Sequence, residues 1–285
     1  MYNFGKEIAG IKMKNPVMNA SGTSGLECME FFDLNCMGAY IPKTITLLPR
    51  IGNLQPRIFE VPGGLINAVG LQNDGLEKFK EDFPNLQKMI HIPIIVSLAG
   101  NTEEEYLELV DSLENISGIA GFEINISCPN VKVGMAFGQS PEMTFDLVNK
   151  LRKKTKKSLI IKLTPNTNNI GQIARSAEDS GADALSLINT VKARAYIKQG
   201  KHAGKWIVGG LSGPCIKFIA LQKISEVIDA HVKIPIIGIG GICNLDDALD
   251  FFRAGASFIQ VGTMSFINVT IIPEIINCLK NTVEI

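Results

Sequence analysis

Eight short apolar runs alternate with longer amphipathic stretches along the chain, and this alternation restricts the fold more than any other feature. The runs are rich in β-branched residues and cover 16–20, 39–44, 93–98, 121–127, 158–163, 184–188, 235–239 and 257–261. Helical periodicity is found at 27–34, 76–89, 103–113, 141–156, 170–180, 214–230, 245–254 and 271–281. Strands that alternate with helices form a parallel sheet, and eight such units close a barrel. The sequence therefore predicts an α/β fold of the (β/α)8 TIM-barrel type.

Length and composition agree with one large core. The chain has 285 residues, of which 46% are hydrophobic, so we expect a single domain over residues 1–285. The 28 Lys and Arg residues balance the 28 Asp and Glu residues, which argues against a nucleic-acid or anionic-membrane partner. The N-terminus lacks a signal-peptide core, and no stretch approaches the ~20 apolar residues that span a bilayer. A cytoplasmic location is expected.

Two connections are too long for ordinary strand-to-helix turns. They cover residues 46–75 and 189–212, and both leave the barrel at the carboxyl ends of its strands. Long connections in a compact domain usually serve function, although a disordered excursion remains an alternative. We expect these two segments to cover the site.

Cys128 ends the apolar run 121–127 and precedes Pro129, which cannot continue a strand ladder. It should lie where strand becomes loop, which is where barrel enzymes carry reactive groups. The other five cysteines are interpreted as small buried or half-buried residues, and without a C-x-x-C pair we expect neither a metal site nor a disulfide framework. No histidine ends a strand, so a base here would be the Cys128 thiolate or a lysine.

Polar residues end most of the other predicted strands, where they should converge on one mouth. They are Ser21, Lys43, Thr44, Asn125, Lys162, Asn189 and Thr190. Lys162 lies in an otherwise apolar run and needs an anionic partner or ligand. For Lys162 and for Lys43, a structural salt bridge and a role in ligand binding both remain open.

Glycines follow the last two predicted strands. Gly240 and Gly241 follow the seventh, and Gly262 and Thr263 follow the eighth. Barrel enzymes commonly bind phosphate at these loops, where backbone N–H groups can approach the oxygens. Tight turns without a ligand are the alternative. The spacing does not complete the Rossmann fingerprint, so a mononucleotide cofactor or a phosphorylated substrate is favoured.

Several motifs occur in the order that is typical of one family. Asn125-Ile-Ser-Cys128-Pro-Asn130-Val-Lys132 is preceded by Asn67-Ala-Val-Gly-Leu71-Gln-Asn73, and both resemble segments of dihydroorotate dehydrogenase. Further similar segments are Asn189-Thr190, Gly209 to Gly213, Ile239 to Gly241 and Val261 to Thr263. Within the family the chain resembles class 1, subtype B, and it shows no membrane-associating extension of the class 2 type.

The resemblance implies an FMN-containing barrel that oxidises dihydroorotate to orotate in pyrimidine biosynthesis. Cys128 would remove the C5 proton while hydride leaves C6 for FMN. The implied substrate-binding residues are Lys43, Asn67, Ala68, Val69, Gly70, Leu71, Asn125, Asn189 and Thr190. The implied cofactor-binding residues are Ser21, Lys43, Thr44, Ser97, Asn125, Lys162, Ile188, Gly213, Gly240, Gly241, Gly262 and Thr263.

The subtype also implies a partner subunit that carries FAD and a 2Fe-2S cluster and passes electrons to NAD. A homodimer within a heterotetramer is the implied assembly. Three departures from the family pattern concern Ser97, where asparagine is more usual, the loop after Cys128, which looks one residue shorter, and Thr23-Ser24, which replaces a small residue followed by an aromatic one.

Three alternatives remain open. The first is subtype A, which uses fumarate as the electron acceptor and has no iron-sulfur partner. The second is an aldolase-like phosphate-binding barrel in which Lys162 forms a Schiff base. The third is a flavin-binding or phosphate-binding scaffold without catalytic activity.

Overall fold

A parallel sheet rolled into a barrel carries the fold. The computed structural model describes residues 7–127 and 137–283, with side chains described up to residue 281. In chain order the strands are β1 (Glu7–Ile8), β2 (Ile11–Lys12), β3 (Val17–Asn19), β4 (Ile58–Val61), β5 (Gly64–Asn67), β6 (Ile94–Leu98), β7 (Ile119–Asn125), β8 (Ser158–Lys162), β9 (Ala184–Leu187), β10 (Val191–Tyr196), β11 (Trp206–Ser212), β12 (Ile236–Ile239) and β13 (Phe258–Val261). The α-helices are α1 (Gly75–Met89), α2 (Glu103–Glu114), α3 (Pro141–Lys154), α4 (Ile170–Asp179), α5 (Lys217–Asp229), α6 (Leu245–Arg253) and α7 (Ile271–Val283).

The barrel closes through a segment that forms only isolated bridges. Seven strands pair in parallel in the order β3-β13-β12-β9-β8-β7-β6. Segment 39–45 runs between β3 and β6 and joins both of them by the parallel bridges Met18–Ala39, Tyr40–Ile94 and Ile45–Leu98. Eight segments in sequence order, with helices between most of them, therefore surround one axis. The predicted (β/α)8 architecture is confirmed.

Side chains alternate between the inner and outer surfaces of the barrel, as the pleat of a strand requires. On β8, Leu159 and Ile161 belong to the large core that also contains helix residues, whereas Ile160 belongs to a smaller inner cluster. This inner cluster consists of Ile8, Ile11, Met13, Met18, Ala39, Ile41, Ile95, Ile160, Ala184, Ile237 and Phe258. The next inward position on β8 is Lys162, so a polar layer follows the apolar one towards the carboxyl ends of the strands.

The two long connections form a second sheet. Segments 46–75 and 189–212 contain β4, β5, β10 and β11, which pair antiparallel in the order β10-β11-β5-β4. One face of this cover sheet has its own small core of Ile66, Ile197 and Ile207. Segment 46–75 contributes Leu65 to the wall of a cavity, and segment 189–212 contributes Ser212. Both segments therefore cover this cavity, as the sequence predicts.

Helix boundaries follow local sequence signals. At the start of α3, Ser140 accepts a hydrogen bond from the Met143 N–H and Pro141 occupies the first turn, which are both favoured arrangements. The single helix predicted over 27–34 is wrong, because two 3-10 helices, Leu26–Glu30 and Leu34–Cys36, are found there. Asp33 accepts a hydrogen bond from the Asn35 N–H and so begins the second of them.

Within the described ranges, no helix is long and apolar enough to cross a membrane.

Candidate active site

A cavity of about 570 Å³ opens at the carboxyl ends of the barrel strands, below the cover sheet. Almost all of the residues that the sequence singled out line it. They are Ser21, Lys43, Thr44, Asn67, Ala68, Val69, Gly70, Leu71, Asn125, Lys162, Ile188, Asn189, Thr190, Gly213, Gly240, Gly241, Gly262 and Thr263. Two are not in this set: Cys128 lies outside the described residues, and Ser97 lies behind the wall. The convergence follows from the fold, because the carboxyl ends of parallel barrel strands meet on one face.

Lys43 brings positive charge to this cavity. An added Cβ on Gly22 would lie 3.8 Å from the Lys43 Nζ, so the ammonium group lies close to the turn after β3. Partial burial lowers the pKa of Lys43 from its ordinary value, because desolvation disfavours the charged form. In the part of the chain that the structure describes, no carboxylate forms an ion pair with Lys43. An anionic ligand would supply the missing partner.

Lys162 is nearly fully buried and has a partner that the sequence analysis missed. Its Nζ lies 3.2 Å from the Glu123 Oε1, and Glu123 is completely buried on β7. The Ser186 hydroxyl and the Gln260 amide also donate to the Glu123 carboxylate. Lys162 nevertheless lines the cavity, so the salt bridge is present and the role in ligand binding stays a prediction. The signal for Glu123 was the same as for Lys162: a charged residue inside an otherwise apolar strand.

Amide side chains form a second polar group. The Asn189 Nδ2 donates to the Asn125 Oδ1 at 3.2 Å and to the Ser127 Oγ at 3.1 Å. The Asn189 Oδ1 accepts a hydrogen bond from the Thr190 backbone N–H, and the Asn125 backbone carbonyl accepts one from the Tyr106 hydroxyl. These bonds fix the orientation of both amides next to Ser127, the residue that immediately precedes Cys128.

Three hydroxyl groups connect the cavity wall to the barrel interior. The Ser21 Oγ lies 3.2 Å from the Thr44 Oγ1, which lies 2.8 Å from the Ser97 Oγ. Ser97 has no solvent exposure and does not belong to the residues that line the cavity. Its hydroxyl reaches the cavity only through Thr44, so direct ligand contact is not supported by this geometry.

Backbone forms the cavity wall at Gly213, where the turn after β11, β5 of the cover sheet and the loop after β13 meet. Gly213 has φ +107° and ψ −171°, a conformation that is almost restricted to glycine. A Cβ there would lie 2.7 Å from the Gly64 Cα. The Thr263 Oγ1 donates to the Ser212 Oγ at 2.8 Å, which joins this turn to the loop after β13. Glycine at 213 therefore allows a close approach of three chain segments.

Replacing Gly213 by alanine should lower the melting temperature and weaken ligand binding in the cavity. The backbone strain costs about 1–3 kcal/mol, and overlap with the Gly64 backbone adds a similar amount. Gly200→Ala is the matched control, because Gly200 also has a positive φ (+85°) but an added Cβ meets nothing within 4 Å. We expect Gly213→Ala to melt roughly 5 °C or more below Gly200→Ala in differential scanning calorimetry. Equal melting temperatures would show that the close approach is unimportant.

Cysteines outside the predicted catalytic position differ from one another. Cys28 is buried and Cys36 and Cys243 are half-buried, as expected, but Cys215 and Cys278 are exposed, which corrects the sequence prediction. Cys278 is exposed because it lies on the outward face of the amphipathic helix α7. Cys243 lines the cavity, and burial together with the nearby Asp247 carboxylate raises the pKa of its thiol to about 11. The Cys243 side chain is therefore a protonated thiol near neutral pH and a poor base.

Other lining residues were also missed by the sequence analysis. Ile58, Leu65, Thr23, Ser212, Ile242, Met264 and Phe266 belong to the cavity wall. Most are apolar or belong to the cover sheet, and their sequence neighbourhood carries no signal that distinguishes them from ordinary core or loop residues. Ser212 was detectable only as the residue that precedes Gly213.

Comparison with known proteins identifies a family. The dihydroorotate dehydrogenase family profile matches residues 4–283. A Citrifermentans bemidjiense protein named "Dihydroorotate dehydrogenase B (NAD(+)), catalytic subunit" is 49% identical over 265 residues, which cover 92% of this chain and 87% of the relative. A Thermoanaerobacter protein of the same name is 46% identical over 282 residues, covering 98% of this chain and 93% of the relative. On this match over nearly its whole length, and with a polar cavity at the carboxyl ends of a barrel, the chain belongs to the dihydroorotate dehydrogenase family.

Proposed function

We propose that this chain is the catalytic subunit of an NAD-linked dihydroorotate dehydrogenase, a cytoplasmic enzyme of pyrimidine biosynthesis. It oxidises dihydroorotate to orotate with FMN as its bound cofactor. The observation that carries the proposal is the 46% to 49% identity, over 92% or more of the chain, to proteins of that name. We take residues 1–285 as one FMN-binding barrel domain.

The residues around the cavity fit FMN. The volume of about 570 Å³ is in the range of sites for cofactors of this size. Gly240 and Gly241 line the cavity with positive φ values of +122° and +81°, so the backbone itself forms the wall that would hold a phosphate. The other proposed contacts are Ser21, Lys43, Thr44, Asn125, Lys162, Ile188, Gly213, Gly262 and Thr263, with Ser97 acting through Thr44.

Bound FMN would accept the hydride that leaves C6 of dihydroorotate. Lys162 would lie at the pyrimidine edge of the flavin ring, where a cation stabilises the negative charge of the reduced form. Ile188 offers an apolar surface at the end of β9. These contacts would orient the ring and exclude water from one side of it.

Dihydroorotate is a cyclic diamide with a carboxylate, and the cavity offers matching groups. Lys43 is a cation without a carboxylate partner among the described side chains, and it would bind the substrate carboxylate. The amides of Asn67, Asn125 and Asn189 and the hydroxyl of Thr190 would bind the ring N–H and C=O groups. Residues Ala68 to Leu71 would form the wall beside the substrate.

Removal of the C5 proton is assigned to Cys128. The proton is only weakly acidic, so the base must be close, oriented and present as a thiolate. Ser127, which precedes Cys128, accepts a hydrogen bond from Asn189 in the cavity wall, and this supports a location of the following residue near the substrate.

Electrons would leave through a partner. The relatives are named as catalytic subunits and their names include NAD(+), which supports a second subunit and NAD as the acceptor. We propose that this second subunit carries FAD and a 2Fe-2S cluster. We further propose a homodimer of this chain at the centre of a heterotetramer. The same names favour a subtype B enzyme over a subtype A enzyme, which would reduce fumarate without a partner.

Anaerobic titration of the purified chain tests the proposal. FMN would give an absorption band near ~450 nm, and this band should bleach when dihydroorotate is added. A yellow protein that dihydroorotate does not bleach would contradict the substrate assignment, and a protein that binds no added FMN would contradict the cofactor. Reoxidation by fumarate would indicate subtype A, and covalent trapping of a carbonyl substrate on Lys162 by borohydride would indicate the aldolase-like alternative.

A further inference from the structure

A fully buried carboxylate lies directly beneath the cavity. Glu123 on β7 has no solvent exposure, and three groups donate to its oxygens. These donors are the Lys162 Nζ at 3.2 Å, the Ser186 Oγ at 3.1 Å and the Gln260 Nε2 at 2.8 Å. Both oxygens of the carboxyl group therefore act as acceptors, and the Lys162 ammonium group is the cationic one of the three donors.

This arrangement is costly for a barrel interior. The layer below it is apolar and contains Ile160, Ile237 and Phe258. Removing two charges from water often costs more than their attraction returns, so an apolar layer would pack here with less penalty. The Gln260 Nε2 donates to Glu123, but the buried Gln260 Oε1 accepts no hydrogen bond from the described residues. Stability therefore does not account for the network.

Only one member of the network reaches the cavity. Lys162 belongs to the cavity wall, whereas Glu123, Ser186 and Gln260 are completely buried and lie outside it. Any effect of the Glu123 charge on a bound group is thus exerted next to, and together with, the charge of Lys162. Glu123 would therefore act on a bound ligand through Lys162, as a positioning residue, without direct contact.

We propose that Glu123 offsets the charge of Lys162 and thereby lowers the reduction potential of the flavin. This inference rests on the proposed function, in which Lys162 lies at the pyrimidine edge of FMN. An unopposed cation would strongly favour the negatively charged reduced flavin. A cation held by a carboxylate favours it less, so that the reduced flavin can still pass its electrons to an acceptor.

The test measures the two-electron midpoint potential of FMN in Glu123→Gln. Loss of the negative charge should raise the potential, with at least a tenfold change in the equilibrium constant, which corresponds to about 30 mV. The substitution should have little effect in a Lys162→Met background, because a buried carboxyl group that has lost its cation is driven to its neutral form, which glutamine already resembles. Ser158→Ala, a buried substitution at the other end of β8, is the control and should leave the potential unchanged.

Other results would overturn the inference. It fails if the potential of Glu123→Gln is unchanged or lowered, or if the shift is equally large with and without Lys162. If Glu123→Gln does not fold, Glu123→Asp serves, since it keeps the charge but withdraws it from Lys162 and should raise the potential by less. Wild-type protein that binds FMN and is bleached by dihydroorotate separates failure of this inference from failure of the proposed function.

Discussion

Cys128→Ser should retain FMN but lose at least ~10²-fold in the rate of flavin reduction by dihydroorotate. Serine keeps the approximate shape of cysteine, but its hydroxyl holds the proton far more tightly than a thiol does, so it is a much weaker base. Anaerobic stopped-flow measurement of the ~450 nm band gives the rate directly, without the electron acceptor. The pH dependence should also change, because the thiolate of Cys128 would no longer titrate.

The control for this variant is Cys36→Ser. Cys36 is half-buried in a 3-10 helix before segment 39–45, at the end of the barrel away from the cavity. It should keep the wild-type rate, which separates loss of the base from a general effect of a cysteine substitution. A Cys128→Ser enzyme with unchanged rates across pH would exclude Cys128 as the base. Cys243 is a thiol that lines the cavity, and it is disfavoured as the base because its pKa is raised to about 11.

Lys43→Met should weaken dihydroorotate and orotate binding by roughly 10- to 100-fold. A hydrogen bond to a charged group contributes about 1.5–3 kcal/mol, and methionine removes the charge while it keeps the length of the side chain. Lys43 lines the cavity without a carboxylate partner in the described part of the chain, so its charge is available to a ligand. Orotate titration of the flavin spectrum measures the dissociation constant.

The pH dependence of orotate binding gives this prediction a second readout. Binding needs the protonated lysine, so affinity should fall as pH rises through the Lys43 pKa. Because burial lowers the Lys43 pKa, the fall begins below the pH at which an exposed lysine titrates. Lys43→Met should remove this step. Lys153→Met, an exposed lysine in the last turn of α3, should retain both the affinity and the pH step. Loss of affinity in both variants would argue against a specific role of Lys43.

The barrel strands were predictable because each has a strong local signal. The apolar run at 158–163, for example, corresponds to β8 (Ser158–Lys162), and its alternation also explains why Lys162 points inward. The segment 39–45 was found for the same reason, although it forms only isolated bridges. The cover sheet was not predicted. Its hairpins β4–β5 and β10–β11 are local, but they become one sheet only through the pairing of β5 with β11, more than 100 residues apart, as in Leu211–Ile66.

The pairing of buried charges depended on tertiary structure even more strongly. Lys162 was recognised as a charge that needs a partner, but Glu123 lies 39 positions earlier and is brought to it by the pairing of β7 with β8. Ser97 was assigned by resemblance to the cofactor, whereas burial places its hydroxyl behind Thr44. In both cases a side chain on the neighbouring barrel segment decides the role of a residue.

The sequence by itself determined the barrel and the set of residues at its mouth, because strand runs and strand-end positions are local patterns. The tertiary structure alone decided which of these residues face the cavity, which lie behind it and which charges are compensated. These properties depend on distances between segments that are far apart in the chain, and strand pairing and packing set those distances. Glu123 illustrates the difference, since its position in an apolar strand is visible in the sequence but its three hydrogen-bond donors are visible only in the folded barrel.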